Sequence, residues 1–444
     1  MQKLWVTFSQ KLLRVDLRFK KTFVYQAIEK TFAIILPFII IGSFSMALSS
    51  SVLSEQGFFN QVYNISSWLP YEKIITNIFE IINTVTMSFI AVMTAFLSAK
   101  YMTRSFKKDE QIAGFTGAVG MLILNYNLSS LNPDSDQGTF MIQELGAKGI
   151  FISLILGVFV GYIFKWFSPK NKQEKADQYT FISRGLESLL PIVIILGILI
   201  GLVMLVSLVN QIGVNGLLYS MFRLTEVKSK HLIITILFLS FFNTILSGIG
   251  ISGSLGIAQG GLDDTSVVSN LSYALKHGTS FGVPYPISIH TIYDSFGSFG
   301  GTGMTLSLII AILIMSKNKN SRKIAKISII PSFVNINFPL MFGLPIILNP
   351  ILMVPFILSP IVSMVIGYFC IYFKWIPPAV YSLPETTPAP LMAFLGTDGY
   401  WSTLVVSGIV LIITVLIYIP FVKLNNKAMN IDGGKLNEKQ TKNS

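Results

Sequence analysis

The chain has 444 residues, of which 52% are hydrophobic and only 12% charged, with a formal net charge of +12. Soluble proteins carry about 25% charged residues, so half that share over this length excludes a soluble enzyme and leaves a helical polytopic membrane protein. Nucleic acid is not the partner the positive charge implies, because the basic residues sit in short loops and at the termini, where they set membrane orientation.

Residues 1–30 contain "LWVTFSQKLLRVDLRF", a mixture of aromatic, aliphatic and basic side chains suited to a helix lying on the inner leaflet. A spanning helix needs about 20 apolar residues. Such runs fall near 31–53, 82–99, 112–127, 149–167, 187–209, 232–257, 296–316, 351–373 and 402–422, with shorter broken segments near 279–295 and 338–349. The first run is read as an uncleaved helix rather than a signal peptide, because the segment before it is too long and further spans follow. Basic clusters occupy Lys3 to Lys30, Lys100 to Lys108, Lys170 to Lys175, Lys317 to Lys326 and the polar tail 423–444, whereas loops 54–72 and 128–147 hold none. Cytoplasmic N- and C-termini follow, and with them an even number of spans, about ten. The loop 210–230, with Arg223, Lys228 and Lys230, fits that alternation poorly and is read as an amphipathic surface helix. The single cysteine, Cys370, excludes a disulfide and reads as a small buried hydrophobe.

Two halves differ in texture. Residues 31–209 form continuous apolar runs whose Gly and Ser residues suit helix packing. Residues 231–422 place prolines, glycines, asparagines and acids inside apolar stretches, as in "PSFVNINFPLMFGLPIILNP" (331–350). Irregular backbone at membrane depth is tolerated only where it is buried in protein or lines a watery cavity, and such segments build transporter substrate sites. Asn335, Asn337 and Asn349 have two readings: satisfying backbone groups freed by the neighbouring prolines, or offering donor and acceptor to a polar ligand.

The stretch "GSFGGTGMTLSLIIAILIMSKNKNSRKIAKISIIPSFVNINFPLMFGLPIILNPILMVPFIL" (297–358) closely resembles the membrane subunit, enzyme IIC, of bacterial phosphotransferase-system sugar transporters. The subfamily is the lactose/cellobiose/diacetylchitobiose one. "LPETTPAPLMAFLGTDGYW" (383–401) and "IEKTFAIILPFIIIGSF" (28–44) are similar to further parts of that family, in the same order along the chain. The resemblance implies an all-α polytopic fold with two re-entrant hairpins, in the bacterial cytoplasmic membrane. It implies a homodimer formed mainly through the N-terminal half and a C-terminal half that carries the sugar. It also implies phosphate delivered by a separate phosphorylated IIB protein, itself charged by IIA, and no cofactor or metal on this subunit.

Two positions depart from the family pattern. Its Asn-x-Asn-Glu-Pro stretch reads Asn335-Ile336-Asn337-Phe338-Pro339, so Phe338 stands where a sugar-binding Glu is implied. Its Gly-Ile-His-Gly stretch reads "GISG" (250–253), with Ser252 in place of the His. A positioned base contributes about 10²–10⁴-fold to a proton transfer, and neither Phe nor Ser supplies one near pH 7. Three candidates for a replacement follow: Glu385, where the resemblance implies Trp, and His290 and Asp294 in "SIHTIYDSFG". Each also has a plain reading, as a solvated loop residue, an interfacial side chain and a helix cap respectively. With Thr386 and Thr387, these residues and the three asparagines complete the candidate sugar site. The glycines of "GSFGGTGMTL" lack the Gly-Lys-Ser/Thr ending of a phosphate-cradling loop. Trp375, Tyr381, Tyr400 and Trp401 have an interfacial belt as one reading and a sugar-stacking aromatic as the other.

Overall fold

The computed structural model describes residues 2–127, 139–169, 178–209, 232–248, 250–251 and 264–441. Ser252 and the surface helix expected at 210–230 lie outside the described residues. Among the described residues the regular secondary structure is helical apart from one antiparallel ladder, Tyr126–Asn127 against Thr139–Phe140.

Helices α1 (Gln2–Phe19) and α2 (Phe23–Leu48) meet at Thr22, whose hydroxyl accepts the Tyr25 N–H at 3.2 Å and caps α2. Helix α2 passes through Pro37 and closes on a wider π turn at Ser49–Leu53. Short α3 (Phe58–Tyr63) and α4 (Ile65–Trp68) lead into α5 (Glu72–Met87) and α6 (Ile90–Ser105). The run expected at 82–99 therefore begins ten residues early, at Glu72. The reason is visible in Ile74, Ile78, Ile81 and Val85, which form one exposed apolar stripe at helical spacing along α5.

Helix α7 (Glu110–Leu124) starts at Asp109, whose Oδ1 accepts the Gln111 and Ile112 N–H groups at 3.1 and 3.2 Å. After α8 (Ile150–Phe167), α9 (Gln178–Glu187) is tied to this cap by Arg184, whose guanidinium reaches Asp109 Oδ2 at 2.6 and 2.8 Å. Helix α10 (Leu189–Val209) completes a cluster with α6, α7 and α8. Small residues bring these helices close: Ala91, Ala95 and Ala99 are fully buried, and Gly157 faces Ser98 with no room for a side chain. Without a hydrophobic force between helices in lipid, such close backbone approach is what drives their association.

The second cluster is larger. It joins α11 (Leu232–Gly248), α13 (Thr305–Met315), α16 (Pro350–Tyr372) and α18 (Trp401–Thr441). Between them stand α12 (Asp264–His277), α14 (Lys319–Phe333), α15 (Phe338–Gly343) and α17 (Ala389–Gly396). Helix α2 enters this cluster too: Phe32 meets Phe342 of α15 edge-on with ring centroids 5.1 Å apart. Buried polar pairs pin the elements that flank the irregular stretches. Ser307 and Thr414 hydroxyls lie 2.7 Å apart, Asn349 Nδ2 donates to Asn425 Oδ1 at 2.8 Å, and the Tyr418 hydroxyl donates to the Gly303 carbonyl. Each such bond between membrane helices contributes about 0.6–1.7 kcal/mol.

Among the described residues, six helical stretches are long and apolar enough to cross a membrane: Phe23–Tyr63, Glu72–Ser105, Ala147–Phe167, Leu189–Ser207, Pro350–Tyr372 and Trp401–Ile431. Three shorter apolar helices, Glu110–Leu124, Leu232–Gly248 and Thr305–Met315, accompany them among the described residues. The run expected at 296–316 is helical only from Thr305, because Gly300, Gly301, Gly303 and Met304 all adopt positive φ.

Candidate functional site

Three irregular stretches converge inside the second cluster. The first is the π turn His290–Asp294 with the glycine loop that follows it. The second runs from the end of α14 through the start of α15. The third is the irregular strap between α16 and α17.

Asn335 fastens all three. Its own backbone is left-handed (φ 66), a conformation asparagine tolerates better than most residues. Its Oδ1 accepts the Gly300 N–H at 3.2 Å, and its Nδ2 donates to the carbonyls of Glu385 at 2.8 Å and Thr387 at 3.0 Å. One amide thereby satisfies three backbone groups that no helix supplies with partners. Asn337 adds a fourth tie, donating from Nδ2 to the Thr302 carbonyl at 3.2 Å. Gly301 makes the approach possible: at φ 98, a Cβ there would lie 2.9 Å from both the Asn335 carbonyl oxygen and Asn337 Nδ2.

A cavity of about 540 Å³ opens between these stretches. Small-molecule sites occupy about 300–1,000 Å³ and pair an apolar wall with a few convergent polar groups. Here Phe338, Val334, Ile336 and Tyr381 supply apolar wall, and His290, Asp294, Asn337 and Glu385 supply polar groups. His290 Nδ1 lies 3.1 Å from Asp294 Oδ2, four residues on across the π turn. The Glu385 carboxyl is pushed above the usual carboxylate range, first by partial burial in the strap and then by the nearby Asp294.

Of the residues singled out in the sequence, Glu385, His290, Asp294, Asn335, Asn337, Phe338 and Thr386 line this cavity. Thr387 is fully buried within the strap, and its carbonyl accepts from Asn335 Nδ2. Asn349 is buried away from the cavity: its Oδ1 caps α16 by accepting the Ile351 and Leu352 N–H groups, each at 3.1 Å. Asn335 and Asn349 thus bond to backbone groups, as the first of their two readings has it, and Asn337, tied to the Thr302 carbonyl, lines the cavity together with Asn335.

The model of the family described as "Phosphotransferase system, EIIC" matches residues 29–360. The chain belongs to that family. It is 28% identical over 426 residues to the oligo-beta-mannoside-specific EIIC component of Bacillus subtilis (strain 168), covering 94% of this chain and 93% of that one. It is 39% identical over 135 residues to the cellobiose-specific EIIC component of Lactococcus lactis subsp. lactis (strain IL1403), covering 30% of this chain and 27% of that one. Among solved structures, the transporter ChbC, the IIC component of an N,N'-diacetylchitobiose-specific phosphotransferase system, aligns over 97% of this chain and 99% of that one. That alignment has a TM-score of 0.44 and 18% identity.

Several cavity residues of this EIIC chain escaped the sequence reading. Met46 and Ser50 come from the end of α2, roughly three hundred positions before the strap in the chain, and Phe58 just beyond them donates its N–H to Thr386 Oγ1 at 3.2 Å. The one available signal was the serine run Ser49–Ser51 closing an apolar span. Of the aromatics with two readings, belt or sugar-stacking ring, Tyr381 lines the cavity, whereas Trp375 and Trp401 are 65% and 73% exposed.

Proposed function

We propose that this EIIC chain is the sugar-translocating subunit of a phosphoenolpyruvate-dependent phosphotransferase system for a β-linked disaccharide of the cellobiose or β-mannoside type. A separate IIB protein, recharged by IIA, phosphorylates the sugar. The observation that carries this reading is a polar and aromatic cavity of about 540 Å³ inside an otherwise apolar helical half, in a chain of this family. Carboxylates and amides hold hydroxyls by accepting and donating hydrogen bonds, and a ring such as Phe338 or Tyr381 covers the apolar face of a pyranose.

The architecture that fits this work has about ten spans and cytoplasmic termini, with re-entrant hairpins at the broken segments 279–295 and 338–349. Residues 1–30 lie along the membrane surface, 31–209 form the scaffold and the homodimer contact, 210–230 link, 231–422 carry the sugar, and 423–444 stay in the cytoplasm. The chain sits in the bacterial cytoplasmic membrane and touches lipid along its exposed apolar faces.

Phe338 supports a second reading: a facilitator, a transporter of another solute, or a sensor on the same scaffold, without phosphorylation. Uptake of radiolabelled cellobiose and mannobiose into cells expressing the chain, with and without IIB, separates the two. Sugar phosphate that accumulates only with IIB is the expected result. Uptake that merely equilibrates, whether or not IIB is present, supports the second reading instead.

A further inference from the structure

The titratable side chains that line the cavity are His290, Tyr293, Asp294, Tyr381 and Glu385, and no lysine or arginine is among the described residues that do so. Most of them are engaged. The Tyr293 hydroxyl accepts from Asn243 Nδ2 at 2.9 Å, and His290 and Asp294 face each other at 3.1 Å. Glu385 differs in having a fixed backbone and an uncommitted side chain. Its carbonyl accepts from Asn335, Thr386 beside it is tied to Phe58, and Thr387 is tied to Asn335. Its side chain is exposed toward the cavity, and its carboxyl accepts no hydrogen bond from any described residue. Phe338 lines the same cavity, half-buried and stacked on Phe342 at 6.4 Å and 21°.

We propose that Glu385 is the carboxylate that orients the reacting sugar hydroxyl and takes its proton, and that Phe338 is the ring on which the sugar rests. The inference rests on the functional reading above. In the step, the hydroxyl oxygen forms a bond to the phosphorus carried by phosphorylated IIB. The bond from phosphorus to the IIB carrier residue breaks, its electron pair staying on that residue, and the hydroxyl proton passes to a Glu385 carboxylate oxygen. A carboxyl pushed above its usual range suits the task, since a base works best when its pKa approaches the working pH. The sugar would lie with its reacting hydroxyl toward the strap rather than toward the 335–339 turn.

The test is the full chain in proteoliposomes with phosphorylated IIB and radiolabelled cellobiose, read both as sugar phosphate formed and as sugar exchange without IIB. Glu385→Gln is expected to lower phosphate transfer by about 10²–10⁴-fold and to lower exchange by a much smaller factor. Glu385→Asp, which keeps the carboxylate, is expected to fall in between. Adding Phe338→Glu to Glu385→Gln is expected to recover at least about tenfold of the lost rate, because position 338 lines the same cavity. Transfer by Glu385→Gln within about two-fold of the unaltered chain overturns this inference alone. An equal fold-loss of transfer and exchange in folded Glu385→Gln also overturns it, since that marks a role in binding or folding alone and none in taking the proton. No sugar phosphate from the unaltered chain overturns the functional reading and this inference together.

Discussion

Asn335 shows how a single side chain supports an irregular site inside a membrane. Three backbone groups bond to its amide, two in part-buried bonds and one in an exposed bond, and such a bond contributes about 0.5–1.5 kcal/mol net. Asn335→Ala is therefore expected to destabilise the cluster by about 1–3 kcal/mol, seen as a lower melting temperature in detergent and weaker sugar binding. Asn335→Asp, which keeps the acceptor for Gly300 and loses both donors, is expected to lie closer to Ala than to the unaltered protein. The pH dependence has a definite sign. Because the Glu385 carboxyl sits above the ordinary carboxylate range, acidification protonates it earlier than a free Glu. Sugar phosphorylation should fall as pH drops through that raised value, and Glu385→Gln should remove this acid limb from the rate profile. At this scale the asparagines and acids stood out because polar residues inside apolar runs are costly at membrane depth. Which of these side chains bond to backbone groups and which line the cavity depended on loops meeting in space.

Among the elements, continuous apolar runs identified helices well, since length and hydropathy suffice where a segment must satisfy all its backbone groups internally. Boundaries failed where backbone conformation overrides hydropathy. Residues 296–304 read as the start of a span, yet three glycines at positive φ turn them into a loop beneath the cavity. Phe356 occupies the space beside Gly303 that a side chain would need. Gly303→Ala should consequently disrupt both the loop and the α16 contact, reducing the yield of folded protein more than Gly408→Ala, where nothing lies within 4 Å. The cap of α16 offers a milder case. Asn349→Ala removes the one oxygen that accepts two N–H groups, and the bond to Asn425. Loss of the cap alone costs about 0.5–2 kcal/mol, so a measurable fall in melting temperature with sugar specificity unchanged is expected.

Across the whole molecule, α2 breaks the simple division into a packing half and a substrate half. It contributes Met46 and Ser50 to the cavity wall and packs on α15, while the Phe58–Thr386 bond joins the start of α3 to the strap. Local patterns in sequence cannot report a contact across more than three hundred residues, which is why the α2 contribution was missed and the C-terminal pieces were found. The central claim is that the space between the glycine loop, the 331–338 turn and the strap holds the sugar. Ser298→Cys, in a Cys370→Ser background, places a reactive thiol on that wall, and Ser67→Cys places one on the exposed α4 as a control. The rate of maleimide labelling at both positions, with and without saturating cellobiose or mannobiose, tests the claim most directly. Sugar should slow labelling at position 298 and leave position 67 unchanged; equal rates at position 298 while the sugar is demonstrably bound would contradict the account.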